Sequence, residues 1–307
     1  MTFDVVVFKA IDYIYDLLQN RIGAMRKYKK LTKVQKDIVY DETNPDICKL
    51  DIYENKVETS GKKPVVFVIH GGGFVAGDKK YRRHLSSWYA IETGAFVVNV
   101  NYGLGPKYLF PEVMSHLTKA VNWVYENADK YNLDLSKVVC TGDSAGGYYA
   151  AELCALQDSK DMQEKLNCFP KLKFTGLLLN CGIYDINRAL STKVLFNLTG
   201  LVCKSFSGVD IKDIRNYEYF DYVSPINHLT KNFPKSCVVY AAQDFFCGGQ
   251  GEDFLKKLNE LGIYNEEYHS SKFMDNHTFP STWKSKAAKE ANSLFLSFTK
   301  RLFNNEI

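Results

Sequence analysis

No run of apolar residues in the 307-residue chain approaches the roughly 18 needed to cross a bilayer, so a membrane-spanning helix is not expected. The eight cysteines (Cys48, Cys140, Cys154, Cys168, Cys181, Cys203, Cys237 and Cys247) include no C-x-x-C pair and no metal-like cluster. That argues against a zinc site or a redox pair. Cys140, Cys181 and Cys237 fall inside predicted buried strands, where a thiol behaves as a small hydrophobe. The set reads as reduced packing residues of a cytoplasmic protein. The net charge of +4 is too small to imply a nucleic-acid partner. There is no internal repeat and no low-complexity tract. The opening residues Met1-Thr2-Phe3-Asp4-Val5-Val6-Val7-Phe8-Lys9 lack the basic region and cleavage site of a signal peptide, and Asp12 and Asp16 interrupt their apolar stretch.

What remains is an ordinary globular composition, with 46% hydrophobic and 24% charged residues, enough for one large core. Short apolar runs recur at Leu50–Tyr53, Val65–Ile69, Phe96–Val100, Val138–Cys140, Phe174–Leu179 and Cys237–Ala242. Their unbroken apolarity predicts strands buried on both faces, as in a parallel sheet. Helical patterns lie between them, over Pro111–Tyr131, Gln250–Leu261 and Trp283–Phe303. Strands alternating with helices predict an α/β fold with a mainly parallel central sheet flanked by helices. Two stretches fall outside that alternation. Residues 1 to about 45 carry an amphipathic helix with Val7, Ile11, Ile14, Leu17 and Leu18 on one side. A basic cluster from Arg21 to Lys36 follows, read as a solvated face and connector, with docking on an anionic membrane surface as the sharper alternative. Residues of about 186 to 222 are rich in Phe, Leu and Tyr. Both are expected to form one helical cap on a single domain spanning 1–307.

Two glycine-rich segments carry the chemistry. Gly142-Asp143-Ser144-Ala145-Gly146-Gly147 after an apolar run predicts a strand-to-helix turn that lifts the Ser144 hydroxyl clear of the backbone. His70-Gly71-Gly72-Gly73-Phe74 after an earlier run offers bare backbone N–H groups to an oxyanion. Together, in this order, they point to acyl transfer with Ser144 as nucleophile. His277, between the last predicted strand and the last helix, is the expected base, with His269 as the runner-up that more simply ends a strand. His70 reads as a structural residue of its loop, and His84, His116 and His228 as surface histidines. Asp244, at the carboxyl end of the Cys237–Gln243 segment, is the expected acid. Asp185 competes, and Glu252 and Asp253 look like first-turn helix residues. Asp143 is expected to brace the turn. The amides of Ala145, Gly72 and Gly73 should hold the oxyanion, with Gly71 needed for the turn alone.

These segments resemble the hormone-sensitive-lipase-like family of α/β-hydrolase carboxylesterases. The resemblance runs over roughly residues 50 to 300, through His70-Gly71-Gly72-Gly73-Phe74, Gly77, Tyr102, Leu104, Pro106, Phe110, Pro111, the Ser144 segment, Ser224-Pro225, Asp244 and His277-x-Phe279. It implies an α/β-hydrolase fold, a serine triad, a cap over the pocket, no cofactor or metal, and hydrolysis of small acyl esters of short to medium chain. An arylformamidase or amidase of the same fold, or a binding protein without turnover, are the alternatives. The edge strand and the last helix leave room for a homodimer. Two segments depart from the family pattern. Asn101-Tyr102-Gly103-Leu104-Gly105-Pro106-Lys107 lacks the charged residues that usually brace that loop, and Asp244-Phe245-Phe246-Cys247-Gly248 replaces the usual acid motif.

Overall fold

The computed structural model describes residues 3–21, 23–57, 60–191 and 198–307, without the side chains of 15, 18–21 and 23–26. The chain opens with helices α1 (Phe3–Arg21) and α2 (Gly23–Leu31), then strands β1 (Thr32–Val39), β2 (Lys49–Asn55) and β3 (Lys63–Ile69). Helix α3 (Arg83–Thr93), β4 (Phe96–Val100), α4 (Glu112–Glu126) and α5 (Ala128–Tyr131) come next. They lead to β5 (Leu133–Asp143), α6 (Ala145–Leu156), α7 (Lys160–Leu166) and β6 (Gly176–Asn180). After α8 (Ile186–Ser191) and α9 (Leu198–Ser207) the chain closes with β7 (Lys235–Ala241), α10 (Gln250–Glu260), β8 (Asn265–Ser270) and α11 (Lys286–Phe303).

The eight strands form one sheet in the order β1-β2-β4-β3-β5-β6-β7-β8. From β4 to β8 every pairing is parallel, while β2 runs antiparallel to β4 and to the edge strand β1. This is the α/β-hydrolase fold. Alternate side chains of β3 enter opposite cores. Val65, Phe67 and Ile69 share one core with residues of α4, α6 and α10, whereas Val66 and Val68 share the other with those of α3 and α11. Each such fully buried side chain contributes roughly 1.5–3 kcal/mol of transfer free energy, which is why the central strands read as unbroken apolar runs.

Several elements differ from the sequence reading. The Val138–Cys140 segment is the middle of β5, which runs on to Asp143 and delivers the next residue straight into the turn. Cys181 lies just past β6, at φ +50°, and not within it. The helix expected over Pro111–Tyr131 breaks at Asn127 into α4 and α5. Thr32 to Lys36, read as connector, belong to β1. Its polar positions suit a strand with one unpaired edge, where charge discourages further pairing. Helix α1 exists, and Val7 and Ile11 of its expected apolar side pack against the body, but its buried positions are Asp4, Val5, Phe8 and Asp12. Ile14 and Leu17, from the expected apolar side, face solvent, and the side chain of Leu18 lies outside the described residues. His84 and His116, read as surface residues, are buried in α3 and α4. His116 shares the helix face of Val113, Leu117 and Ala120, and its Nδ1 accepts from the Gly103 amide at 3.2 Å.

Candidate functional site

Ser144 stands between the end of β5 and the start of α6 with φ +52° and ψ −122°, a conformation that costs a non-glycine residue about 1–3 kcal/mol. Its surroundings hold it there. Its own amide donates to the Asn180 carbonyl of the neighbouring β6 end at 2.9 Å, and its carbonyl accepts from Tyr148 at 3.0 Å. A Cβ on Gly142 would lie 2.2 Å from the Gly146 oxygen, and one on Gly146 would lie 2.3 Å from the Ile69 oxygen, so the turn closes only without side chains at both places. Asp143 points away from the hydroxyl and forms a two-point ion pair with Arg82, whose Nε donates to Oδ1 at 2.5 Å and whose second nitrogen donates to Oδ2. Both partners are buried. Nothing in the local sequence singles out Arg82, which lies 61 residues from Asp143.

His277 Nε2 is 2.9 Å from Ser144 Oγ, and its Nδ1 is 2.8 Å from Asp244 Oδ2 and 3.0 Å from Oδ1. Three side chains separated by 33 and 133 residues thus form one hydrogen-bonded line. The carboxylate requires Nδ1 to be the protonated nitrogen, which leaves Nε2 free to accept from the hydroxyl. Burial pushes the Asp244 carboxyl up, but the adjacent His277 and the amides of Cys247 (2.9 Å) and Phe246 (2.8 Å) outweigh it, so its pKa lies below the ordinary value. The unusual segment after Asp244 therefore supplies two backbone donors in place of a second acid. Asn276 was missed by the sequence reading. Its Oδ1 accepts from the Phe245 amide and its Nδ2 donates to the Gln243 carbonyl, tying the acid's loop to the histidine's. Its place directly before His277 was the available signal.

The competing residues are occupied elsewhere. Asp185 caps α8, accepting from the amides of Asn187 and Arg188. Glu252 and Asp253 lie in the first turn of α10, with Asp253 paired to Arg188 at 2.6 Å. His269 lies within β8, exposed and stacked on Tyr240. His228 is half-buried and meets the Asp221 carbonyl at 2.7 Å.

In the glycine loop, the positive φ values belong to Gly72 (+135°) and Gly73 (+59°), with Gly77 at +111°. Gly71, expected to serve the turn, instead allows close approach, since a Cβ there would lie 2.6 Å from the Asp143 carbonyl and 3.2 Å from Ser144 Cβ. The loop is thereby pressed against the serine. Among the described residues, no backbone carbonyl within the loop or its neighbours accepts from the amides of Gly72, Gly73 or Ala145. His70 donates from Nδ1 to the Gly71 carbonyl at 2.8 Å and stacks on Tyr102, whose hydroxyl donates to the His70 carbonyl at 2.5 Å. Burial lowers the His70 pKa to about 4, so the ring is neutral. The departure at residues 101–107 is braced mainly through Asn101 and the backbone, with Asn101 Nδ2 donating to Asp78 at 3.3 Å. Asn101 accepts from the Lys79 amide at 2.6 Å, and the Gly105 amide donates to the Phe74 carbonyl at 2.9 Å.

Above Ser144 lies a pocket of ≈ 810 Å³ including its mouth, lined on the sheet side by Gly73, Phe74 and Ser144. Phe8 of α1, Ile186 and Leu190 of α8, and Val202 and Phe206 of α9 close it from above. The lining is almost wholly apolar. The Phe246 ring lies between Phe8 (6.0 Å, tilted) and His277 (5.0 Å, edge-on), linking α1 to the hydrogen-bonded line. Among the described residues, two groups bring metal-binding atoms within 4.8 Å of one another. In Asp41–Cys48–His116, the Lys119 ammonium already neutralises Asp41 at 2.7 Å. In Asp244–Cys247–His277, the acid and the imidazole are already bonded to each other. Both donor sets therefore have their charges answered by the chain itself.

The BD-FAE family model matches residues 50–258. Bovine (Bos taurus) arylacetamide deacetylase is 36% identical over 134 residues, which are 42% of this chain and 33% of that protein, so the chain matches about a third of its relative's length. A protein of Acanthamoeba polyphaga mimivirus is 30% identical over 274 residues, covering 85% of this chain and 76% of its own. Among solved structures, an inhibited esterase B from Lactobacillus rhamnosis superposes with a TM-score of 0.79 at 19% identity, covering 98% of both chains.

Proposed function

The chain belongs to the hormone-sensitive-lipase-like α/β-hydrolases that the BD-FAE model describes, and from that premise we propose that it is a serine hydrolase of carboxylic esters. The observation that carries this reading is the hydrogen-bonded line Ser144–His277–Asp244 opening onto an apolar pocket. In the proposed reaction, His277 Nε2 removes the Ser144 proton as Oγ attacks the ester carbonyl. Asp244 holds the imidazole in its productive tautomer and stabilises the imidazolium. The amides of Gly72, Gly73 and Ala145 receive the oxyanion, and each such donor is worth about 10²–10³ in rate. His277 then returns its proton to the leaving alcohol, and water releases the acid from the acyl-serine. In this reading α1, α8 and α9 are the cap, and the apolar lining takes the acyl chain of a short to medium ester.

The test is Ser144→Ala. It should lower turnover of a soluble 4-nitrophenyl ester by on the order of 10⁴-fold or more and abolish labelling by a fluorophosphonate, at an unchanged melting temperature. Wild-type turnover in that variant would overturn the reading. One observation favours a second substrate class, for the bovine relative is named an arylacetamide deacetylase. Parallel assays on an aryl acetate and the matching aryl acetamide decide between them, and a higher kcat/KM on the acetamide would make the protein an amidase.

A further inference from the structure

Helix α1 carries a second apolar stripe, turned to solvent. Its positions facing the protein include Asp4 and Asp12, 0% and 4% exposed, while Val6 (45%), Tyr13 (65%), Ile14 (54%) and Leu17 (39%) face solvent. These four lie at helical spacing on one stripe, and no carboxylate interrupts it among the described side chains. A surface helix ordinarily buries such a stripe. Here the acids fix the opposite orientation. Asp4 accepts from the Ser205 hydroxyl at 2.8 Å, and Asp16 pairs with Arg83 at 2.6 Å. Phe8 enters the pocket from the same inward side. The body thus holds the side of α1 that carries Asp4, Val5, Phe8 and Asp12, and leaves the stripe of Val6, Tyr13, Ile14 and Leu17 exposed.

The neighbouring helix supplies the charge. α2 contains Arg26, Lys27, Lys29 and Lys30 and no acidic residue. Its buried Tyr28 anchors it to α3 by donating to Glu92 at 2.7 Å, and Lys27, Lys29 and Lys30 stand exposed. An exposed apolar stripe with exposed lysines on the adjoining helix matches the interface of an anionic bilayer, where apolar side chains enter the headgroup boundary and lysines meet lipid phosphates. A second copy of the chain is a poorer match, because a two-fold contact would set the same basic helix on both sides. No described helix is long and apolar enough to span the bilayer, so attachment would be to its surface.

We propose that the outer stripe of α1, with the lysines of α2, docks this protein on the surface of an anionic lipid bilayer. Because Phe8 and Phe246 join α1 to His277, docking would set the pocket mouth beside the membrane. The inference does not depend on the reaction proposed above.

The experiment is co-sedimentation of the full chain with vesicles. Wild type should bind phosphatidylglycerol–phosphatidylcholine vesicles, release as salt rises, and bind pure phosphatidylcholine at least tenfold more weakly. Ile14→Glu/Leu17→Glu should lose tenfold or more of that binding, as should Lys27→Glu/Lys29→Glu/Lys30→Glu. Both should keep the wild-type melting temperature and circular dichroism spectrum. If the first variant unfolds, Tyr13→Ser/Ile14→Ser replaces it with the same expectation. The proposal is overturned if wild type ignores anionic vesicles at low salt, or if folded variants bind as well as wild type. A concentration-dependent dimer that Ile14→Glu/Leu17→Glu dissociates would equally overturn it, by giving the stripe to a second copy.

Discussion

Ser144 and Val202 line one pocket from opposite sides. Around Ser144 every neighbour is placed by a directional bond or by the absence of a side chain: the Asn180 carbonyl on its amide, His277 on its hydroxyl, Gly142 and Gly146 beneath the turn. Around Val202 the neighbours are Phe8, Leu198 and Phe206, which need only bulk and apolarity. The sheet side is therefore intolerant of small displacement, since hydrogen bonds weaken steeply with distance and angle. The covering side can trade one hydrophobe for another of similar volume at small cost. Substitutions on the sheet side should change whether the reaction occurs, and those on the covering side which ester is taken.

Asp244→Asn makes the sharpest cut. It keeps the shape but leaves Nδ1–H without its carboxylate, and kcat should fall by about 10⁴-fold, measured on a soluble aryl ester. A fall of tenfold or less would mean that the acid only packs. Arg82→Met tests the brace under the serine turn. It leaves Asp143 buried without its cation and should cost about 3–5 kcal/mol in chemical denaturation. Pairing it with Asp143→Leu should recover part of that loss.

The two sides should also answer pH with opposite signs. On the body, burial lowers His70, His84 and His116 to about 4 from 6.5. The unfolded chain takes up these protons first, so stability is full above about pH 6.5 and falls toward pH 4, by about 3 kcal/mol per histidine. On the cover, burial raises Asp12 to about 7 from 3.8. The folded state holds that proton while the unfolded chain loses it, so stability falls as pH rises from about 4 to 7. Asp12→Asn should therefore match wild type near pH 4 and exceed it by up to about 4 kcal/mol at pH 8. A constant difference across melts from pH 4 to 8 would contradict the assignment. The smallest effect belongs to Val202→Trp, which narrows the pocket. It should lower kcat/KM for a hexanoate ester by roughly 10–200-fold and for an acetate by less than about threefold. Equal losses on both esters would show that Val202 does not border the acyl chain.

Much of the sheet side was legible because its signals are local. A tight turn needs glycine beside Ser144, a buried parallel strand needs an unbroken apolar run, and both are written in consecutive residues. The cover was legible only as composition. Apolar residues at 7, 11, 14, 17 and 18 suggested one helical side, and Val7 and Ile11 do pack against the body, but Ile14 and Leu17 face solvent because Asp4 and Asp16 tie the helix to Ser205 and Arg83. The polar strand β1 hid among basic residues because an edge strand needs no hydrophobic run. His84 and His116 were misjudged because a single histidine on a helix carries no sign of which face is buried.

By itself, the sequence determined an α/β architecture and the turn chemistry around Ser144, since both follow from backbone sterics and from apolarity over a few neighbouring residues. Only the tertiary structure decided that His277 and Asp244 meet Ser144, that Asp185 caps a helix instead, and that Arg82 answers Asp143. The contacts of His277, Asp244 and Arg82 join segments tens of residues apart, and their energies depend on distances that no local pattern encodes.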